Sequence, residues 1–364
     1  MNFDLSDDAK TLKDAARKFL DARAGPQAAR RVMDAGLAQD AQLWAEIVEQ
    51  GWPAARVPEA HGGLGLGADE ACVLAEEIGR SLAPVPLMST LAAIEAILIA
   101  GSAAQQAEWL PKLAAGEAIG CIAWAEGARS PLQQPAAVLE GGKVSGEKSP
   151  VIDGLAATLA IVTVAGPDGP AMALVPLEGV SRAGQETLDL VRPSAKLQFE
   201  SAPGEALGTA ADWVKLTERL AVLSAWEALG TADAARDMTV AYAKERVAFG
   251  QRIGRYQGVK HKLADMYVKA ELARAHALHG CWAWEADAPE LAQAAAAARV
   301  ASLDALKLTA EEAVQLHGGI GFTWEQDCQF YYRRNRLLAA SIGSRAHWAE
   351  RLVRALERRN RTAA

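Results

Sequence analysis

Tyr242-Ala243-Lys244-Glu245-Arg246-Val247-Ala248-Phe249-Gly250-Gln251-Arg252-Ile253 stands between two long stretches of helical periodicity, and is followed by Tyr256-Gln257 and Lys262-Leu263-Ala264-Asp265-Met266. Gly250 reads as the stop of the first helix. Arg246 and Phe249 are three residues apart, a spacing that puts two side chains on one face of a helix. A guanidinium can fork onto a pyrophosphate while a neighbouring aromatic stacks on a flat ring, so the segment is a candidate nucleotide-cofactor site. Taken by itself, the same pattern also describes a surface Arg beside a packing Phe.

Working outward, helical periodicity occupies four stretches at about 212–246, 256–286, 288–317 and 325–358, with short breaks between them. Four long helices on short connections predict an antiparallel bundle with ligand sites between facing helices. Upstream, Asp8 to about Gly116 is helical in segments such as Asp8–Ala22, Ala41–Gln50, Ala68–Ser81 and Thr90–Leu98. The texture changes near Gly120. Val138–Gly146 reads as a hairpin, and Thr158–Val164 and Ala171–Val175 as short strands. The expected fold is mainly α: an N-terminal helical domain over 1–118, a middle β-barrel or sandwich over 119–205, and a C-terminal four-helix bundle over 206–364.

Composition limits the functions available. The formal net charge is −7, which argues against a nucleic-acid surface, since phosphate binding needs concentrated Lys and Arg. No uncharged apolar run reaches the roughly 18 residues of a membrane span. The acidic start, Asn2-Phe3-Asp4-Leu5-Ser6-Asp7-Asp8, lacks the order of a secretion signal, and a cytoplasmic location is expected. Cys72, Cys121, Cys281 and Cys328 are scattered, with no metal-ligand spacing, and read as buried reduced thiols.

A second informative segment is Gln315-Leu316-His317-Gly318-Gly319-Ile320-Gly321-Phe322-Thr323. Glycines at this density let a backbone approach a ligand and present N–H donors, although a helix C-cap and turn has the same composition. Together with the first segment it resembles the acyl-CoA dehydrogenase family, whose signature joins ERxxFGxxI, a following Gln, an LADM-like run and a QxxGGxG turn. Val57-Pro58-Glu59-Ala60-His61-Gly62-Gly63-Leu64-Gly65 and Glu76-Glu77-Ile78-Gly79-Arg80 extend the likeness to the family's PExxGGxG loop and EELGR helix. The resemblance implies FAD and an acyl-CoA held where the three domains meet. Arg246, Phe249 and Gln257 match residues that contact FAD across a subunit interface, and the turn matching Gln315, Gly318 and Gly319 touches a neighbour's FAD. A homo- or heterotetramer is implied, with electron-transfer flavoprotein as electron acceptor.

The implied reaction is α,β-desaturation: a base removes the α-proton as the β-hydrogen leaves as hydride to the flavin. Most members carry the base as Glu in an EG[TS] motif, where this chain has Ile342-Gly343-Ser344; the resemblance implies a retained flavin contact at Ser344, but isoleucine accepts no proton. A second group places the Glu at the position matching Leu220. Glu218 and Glu227 stand nearby, nine residues apart and so on opposite faces of one helix. Glu227 is two turns beyond Leu220 and the one charge between Leu220 and Ala232, which makes it the candidate base; a structural ion pair is the alternative. This placement resembles a steroid and branched side-chain subgroup built from paired unlike subunits.

In the β-domain the family's TEPxAGSD segment survives only as Trp124-Ala125-Glu126-Gly127-Ala128-Arg129-Ser130-Pro131, in which Ser130 or Glu126 aligns. The aromatic that stacks on the flavin is replaced within Lys148-Ser149-Pro150-Val151-Ile152-Asp153-Gly154. Trp124 is a candidate aromatic wall, with a core position as its other reading. His317 and His61 are not read as catalytic, and Arg333-Arg334-Asn335-Arg336 reads as a solvated helix face. Ala225, Ala228 and Gly230 hint at room for a bulky acyl group. Three functions remain: a catalytic dehydrogenase subunit using Glu227, a non-catalytic partner completing another chain's FAD site, and an acyl-CoA oxidase of the same fold.

Overall fold

The computed structural model describes residues 4–362 and realises the helical, β, helical order of the chain. The first region holds α1 (Asp7–Arg23), α2 (Pro26–Ala35), α3 (Ala41–Glu49), α4 (Ala68–Ser81), α5 (Leu87–Ala100) and α6 (Ala103–Ala114). Local chemistry sets their starts. Ser6 caps α1, Asp40 caps α3, and Ser102 with Gln105 forms a reciprocal capping box on α6, satisfying amides that have no partner within the helix.

The β region contains β1 (Gly120–Ala123), β2 (Val138–Glu140), β3 (Lys143–Ile152), β4 (Leu159–Gly166), β5 (Gly169–Pro176), β6 (Ser181–Gln185), β7 (Ser194–Pro203) and β8 (Glu205–Leu207). They form two four-stranded sheets, β1-β4-β5-β8 and β2-β3-β7-β6. β1 packs on β3, and β5 on β7. The expected hairpin is β2 to β3, with Glu140 opposite Lys143 and positive φ at both Gly141 and Gly142.

The last region holds α7 (Ala210–Glu245), β9 (Val247–Ala248), β10 (Gln251–Arg252), α8 (Gln257–Glu285), α9 (Leu291–His317), α10 (Cys328–Ala340) and α11 (Arg345–Thr362). α9 packs against α8, α10 and α11. The fourth expected helix is thus two: Gly343 has a φ of +100°, and Ser344 accepts from the His347 amide to start α11 afresh. Arg246 and Phe249 also leave the helix, which ends at Glu245. Arg246 precedes a two-residue hairpin whose central residues, Phe249 at φ +51° and Gly250 at +82°, both lie in the left-handed region.

The chain divides into two compact units. One comprises the residues up to Ala29, Cys72–Ala83 and those from Ala221 onward; the other comprises Arg30–Ala71 and Pro84–Leu220. In the first, Ala228, Ala232, Leu303, Leu306 and Leu338 form a buried cluster joining α7, α9 and α10. α4 crosses α7 at a backbone-to-backbone contact. A Cβ on Gly79 would stand 2.1 Å from the Glu227 carbonyl oxygen, and one on Gly230 would stand 1.8 Å from that of Glu76. Gly230 therefore makes room for a helix backbone, and Ala225 and Ala228 are wholly buried. These small residues serve packing and do not mark space for an acyl group.

Carboxylates of α4 tie the same unit together. Glu76 meets Lys13 at 2.6 Å and Arg274 at 2.7 Å; burial alone would raise its carboxyl, but the two cations outweigh it and hold it below the usual value. Glu77 meets Arg17 at 2.6 Å, and there burial prevails and its carboxyl lies above the usual value. In the second unit α5 lies on β1, where a Cβ on Gly120 would meet Ala93 at 2.3 Å. Buried Asp153 there accepts from Ser89 at 2.6 Å and Arg192 at 2.7 Å. All four cysteines are buried and unpaired in disulfides.

Candidate functional site

Of the residues expected at a cofactor, Arg246, Phe249, Gln257, Gln315, Gly318, Gly319 and Ser344 fall at or near the ends of the bundle helices. Arg246 follows α7, with its amide donating to the Tyr242 carbonyl at 2.8 Å and its carbonyl accepting from the Ile253 amide at 2.8 Å. Tyr256 Oη donates to the carbonyls of Ala248 at 2.9 Å and Phe249 at 3.2 Å, anchoring the hairpin tip one residue before Gln257 opens α8. One small structure thus places Arg246, Phe249 and Gln257. Phe249 is 97% exposed, and a bulky residue held at positive φ bears a backbone cost that packing within this chain does not offset. The side chains of Arg246, Gln257 and Gln315 are exposed and have no hydrogen-bond or ion-pair partner among the described residues.

Gln315 lies in the last turn of α9. Gly318 ends that helix at φ 64°, ψ −142°, a region essentially closed to other residues. Space is open around an added Cβ at Gly318 and Gly319, so the backbone edge there is accessible. Ser344 is exposed, its hydroxyl already accepting from the His347 amide.

Glu227 lies elsewhere. It is 19 residues before Arg246 on α7, about 28 Å along the axis at 1.5 Å per residue. Its side chain is buried, and Arg334 Nη1 donates to Oε1 at 3.2 Å from a guanidinium with no exposure. Arg334 and Asn335 are therefore not part of a solvated face: α10 turns them inward, and the apolar run around Glu227 is answered by a cation more than 100 residues away. Arg299, also fully buried, donates to Ser224 at 2.5 Å, to Ser341 at 3.1 Å and to the Leu338 carbonyl. Burial lowers its guanidinium to about 10, opposed by the Glu227 charge. Its donors satisfy the C-terminal end of α10, where carbonyls concentrate negative potential. Neither arginine was visible as a partner in the sequence, where helical periodicity gives faces but not which faces meet.

In the second unit, the segment from Trp124 to Pro131 is pinned rather than open. Glu126 accepts from the Ala136 amide at 2.7 Å, the Ala137 amide at 3.1 Å and Lys148 Nζ at 2.7 Å. Lys148 is fully buried and also donates to Thr163 at 2.8 Å; burial lowers its amine to about 8 against the opposing pull of Glu126. Trp213 Nε1 donates to the Pro131 carbonyl at 2.7 Å. Glu126 thus closes a loop and is not displayed toward a ligand; Arg129 is exposed and donates to the Gln134 carbonyl at 2.7 Å, and Ser130 is half-buried. Trp124 is half-buried beyond the end of β1, not a core residue. Among the described residues no His, Cys, Asp and Glu cluster could hold a metal, and no helix is long and apolar enough to cross a membrane.

Comparison with known proteins agrees with this architecture. The sequence matches the family descriptions "Acyl-CoA dehydrogenase, N-terminal domain" over residues 6–117 and "Acyl-CoA dehydrogenase, C-terminal domain" over residues 215–356. It is 33% identical over 340 residues to acyl-CoA dehydrogenase IpdE2 of Mycolicibacterium smegmatis, covering 93% of this chain and 96% of that protein. Among solved structures, the Tcur3481-Tcur3483 steroid ACAD G363A variant matches with a TM-score of 0.90 at 31% identity, covering 98% of this chain and 99% of that one. The ChsE4-ChsE5 complex from Mycobacterium tuberculosis matches with a TM-score of 0.89 at 25% identity, covering 98% and 99%.

Proposed function

This chain belongs to the acyl-CoA dehydrogenase family, and from that premise we propose that it serves the FAD-dependent α,β-dehydrogenation of an acyl-CoA as one subunit of a heterotetramer with an unlike chain. The observation that carries the reading is the hairpin tip. A strained, exposed Phe249 stands beside an exposed Arg246 without a partner, a donor set suited to a flat ring and a pyrophosphate. Gln257, Gln315, the open edge at Gly318 and Gly319, and Ser344 complete the proposed FAD-holding set of this unit, and Ser130 and Trp124 are the FAD-contact candidates of the β-domain. We keep 1–118, 119–205 and 206–364 as the functional domains. FAD supplies the hydride acceptor, and the protein supplies binding, orientation and proton transfer.

Likeness to a steroid ACAD supports a bulky, ring-bearing acyl group, and likeness to the ChsE4-ChsE5 complex supports an unlike partner. Electron-transfer flavoprotein is the proposed electron acceptor, and the cytoplasm the proposed location. Glu227 is the base proposed for this chain. Its buried pairing with Arg334 favours a second reading, in which Glu227 is structural and this chain completes the FAD site of a partner that brings its own base.

One experiment separates these readings. The chain is purified with and without its co-expressed partner, its flavin content is read by absorbance, and acyl-CoA esters are added anaerobically. Bleaching lost in a folded Glu227→Gln assembly supports Glu227 as base, and bleaching retained supports the second reading. An assembly that never holds flavin would sink the FAD reading altogether. Rapid reoxidation in air would mark an oxidase.

A further inference from the structure

Tyr242 and His317 close the ends of α7 and α9 against each other. Their rings stack with centroids 4.2 Å apart and planes 23° from parallel, and Tyr242 Oη points at the His317 carbonyl at 3.4 Å, a long contact. His317 is 3% exposed, and its Nδ1 is 2.7 Å from the Ala313 carbonyl. A carbonyl only accepts, so Nδ1 carries a proton, and burial holds the imidazole below its usual value. The imidazole is therefore held in one orientation with Nδ1 protonated, as a flat surface for the Tyr242 ring.

The pair's position in the chain gives it meaning. Tyr242 is one helical turn before Arg246, whose amide bonds to the Tyr242 carbonyl. His317 is two residues after Gln315 and immediately precedes Gly318. The turn beyond is folded tightly under the same helix end, since a Cβ on Gly321 would meet the Val314 carbonyl oxygen at 2.4 Å and His317 Cβ at 3.1 Å. From the far side Cys328 Sγ contacts the Gly321 carbonyl at 3.2 Å.

We infer that the Tyr242–His317 stack is a positioning device that holds the Arg246–Phe249 hairpin and the Gln315–Gly319 turn in fixed register, so that the two present one composite surface to the dinucleotide. This rests on the reading that both segments bind FAD. Neither ring touches the cofactor in this scheme; both act through the backbone they fix.

The test uses the holoenzyme assembled with its partner, with FAD dissociation constants measured by flavin fluorescence for Tyr242→Ala, His317→Ala, the double variant, and Arg246→Ala as a control on the reading. Each alanine variant of the stack is expected to weaken FAD binding about tenfold, and the double variant no more than either single one, because a shared contact can be lost only once. Tyr242→Phe, which keeps the ring, should restore affinity. Additive losses, or unchanged affinity in both stack variants while Arg246→Ala weakens binding, would overturn the inference and leave the FAD reading standing. Unchanged affinity in Arg246→Ala as well would overturn the FAD reading itself. If an alanine variant fails to fold, His317→Asn combined with Tyr242→Leu replaces it in the same cycle.

Discussion

Arg334 donates to Glu227 inside a helix bundle where neither side chain is more than 3% exposed. The pair joins α10 to α7, and Arg299, anchored on Ser224 one turn before Glu227, joins α9 to both. A buried pair of this kind is weak evidence for net stability, but breaking it from one side is costly, because the remaining charge has no water to turn to.

Arg334→Met should therefore destabilise the chain by about 3–5 kcal/mol, whereas Arg334→Met combined with Glu227→Met should recover much of the loss. Urea unfolding of the wild type, Arg334→Met, Glu227→Met and the double variant measures this. Additive losses would mean that the two residues act independently.

Gly79→Ala and Gly230→Ala each drive a Cβ into a facing carbonyl oxygen, at 2.1 Å and 1.8 Å. Backbone cannot step aside as a side chain can, so each change should cost at least about 3 kcal/mol, at the upper end of overpacking effects. Thermal unfolding checks it, and a melting temperature within a degree of the wild type would contradict the crossing.

Arg246→Lys keeps the charge and loses the fork. Because Arg246 is exposed and bonds to nothing in its own chain, the change should leave the melting temperature of the flavin-free protein unaltered. Flavin retention on dialysis of the assembled protein should fall about tenfold, as expected when a bidentate phosphate contact is lost. A drop in stability without a drop in retention would assign Arg246 to the scaffold.

The acid limb of stability has a identifiable contributor in His347. Burial, helped by Arg351, lowers its imidazole to about 4. Between about 4 and the ordinary value of 6.5 the unfolded chain binds a proton at this site that the folded chain does not. Protonation thus favours unfolding, and stability falls as pH drops through that window. The wild type should lose melting temperature from pH 6.5 to 4 more steeply than His347→Gln, and parallel curves would exclude the effect.

Much of this architecture can be read from the chain. The Gly141-Gly142 turn and the long helical periodicities of α7 and α9 are local signals, and each is the element its chemistry requires. The differences from expectation share another cause. Three-residue spacing places Phe249 on a helix, yet the Phe249-Gly250 pair closes a hairpin. A charge run such as that around Arg334 reads as solvated, and Gly230 reads as pocket space, because nothing in α10 or α7 announces what will lie against them. Pairings across more than 100 residues, such as Glu227 with Arg334, depend on how helices are rolled, which periodicity alone leaves open.

The crossing of α4 and α7 has a mechanical consequence. Gly79 receives the Glu227 carbonyl and Gly230 receives that of Glu76, so the two backbones are engaged like a tongue and slot at two points. Such an engagement blocks sliding of one helix along the other and leaves rotation about the contact as the soft motion. Within this unit, Gly79 and Gly230 are the points at which α4 and α7 can turn against each other without parting.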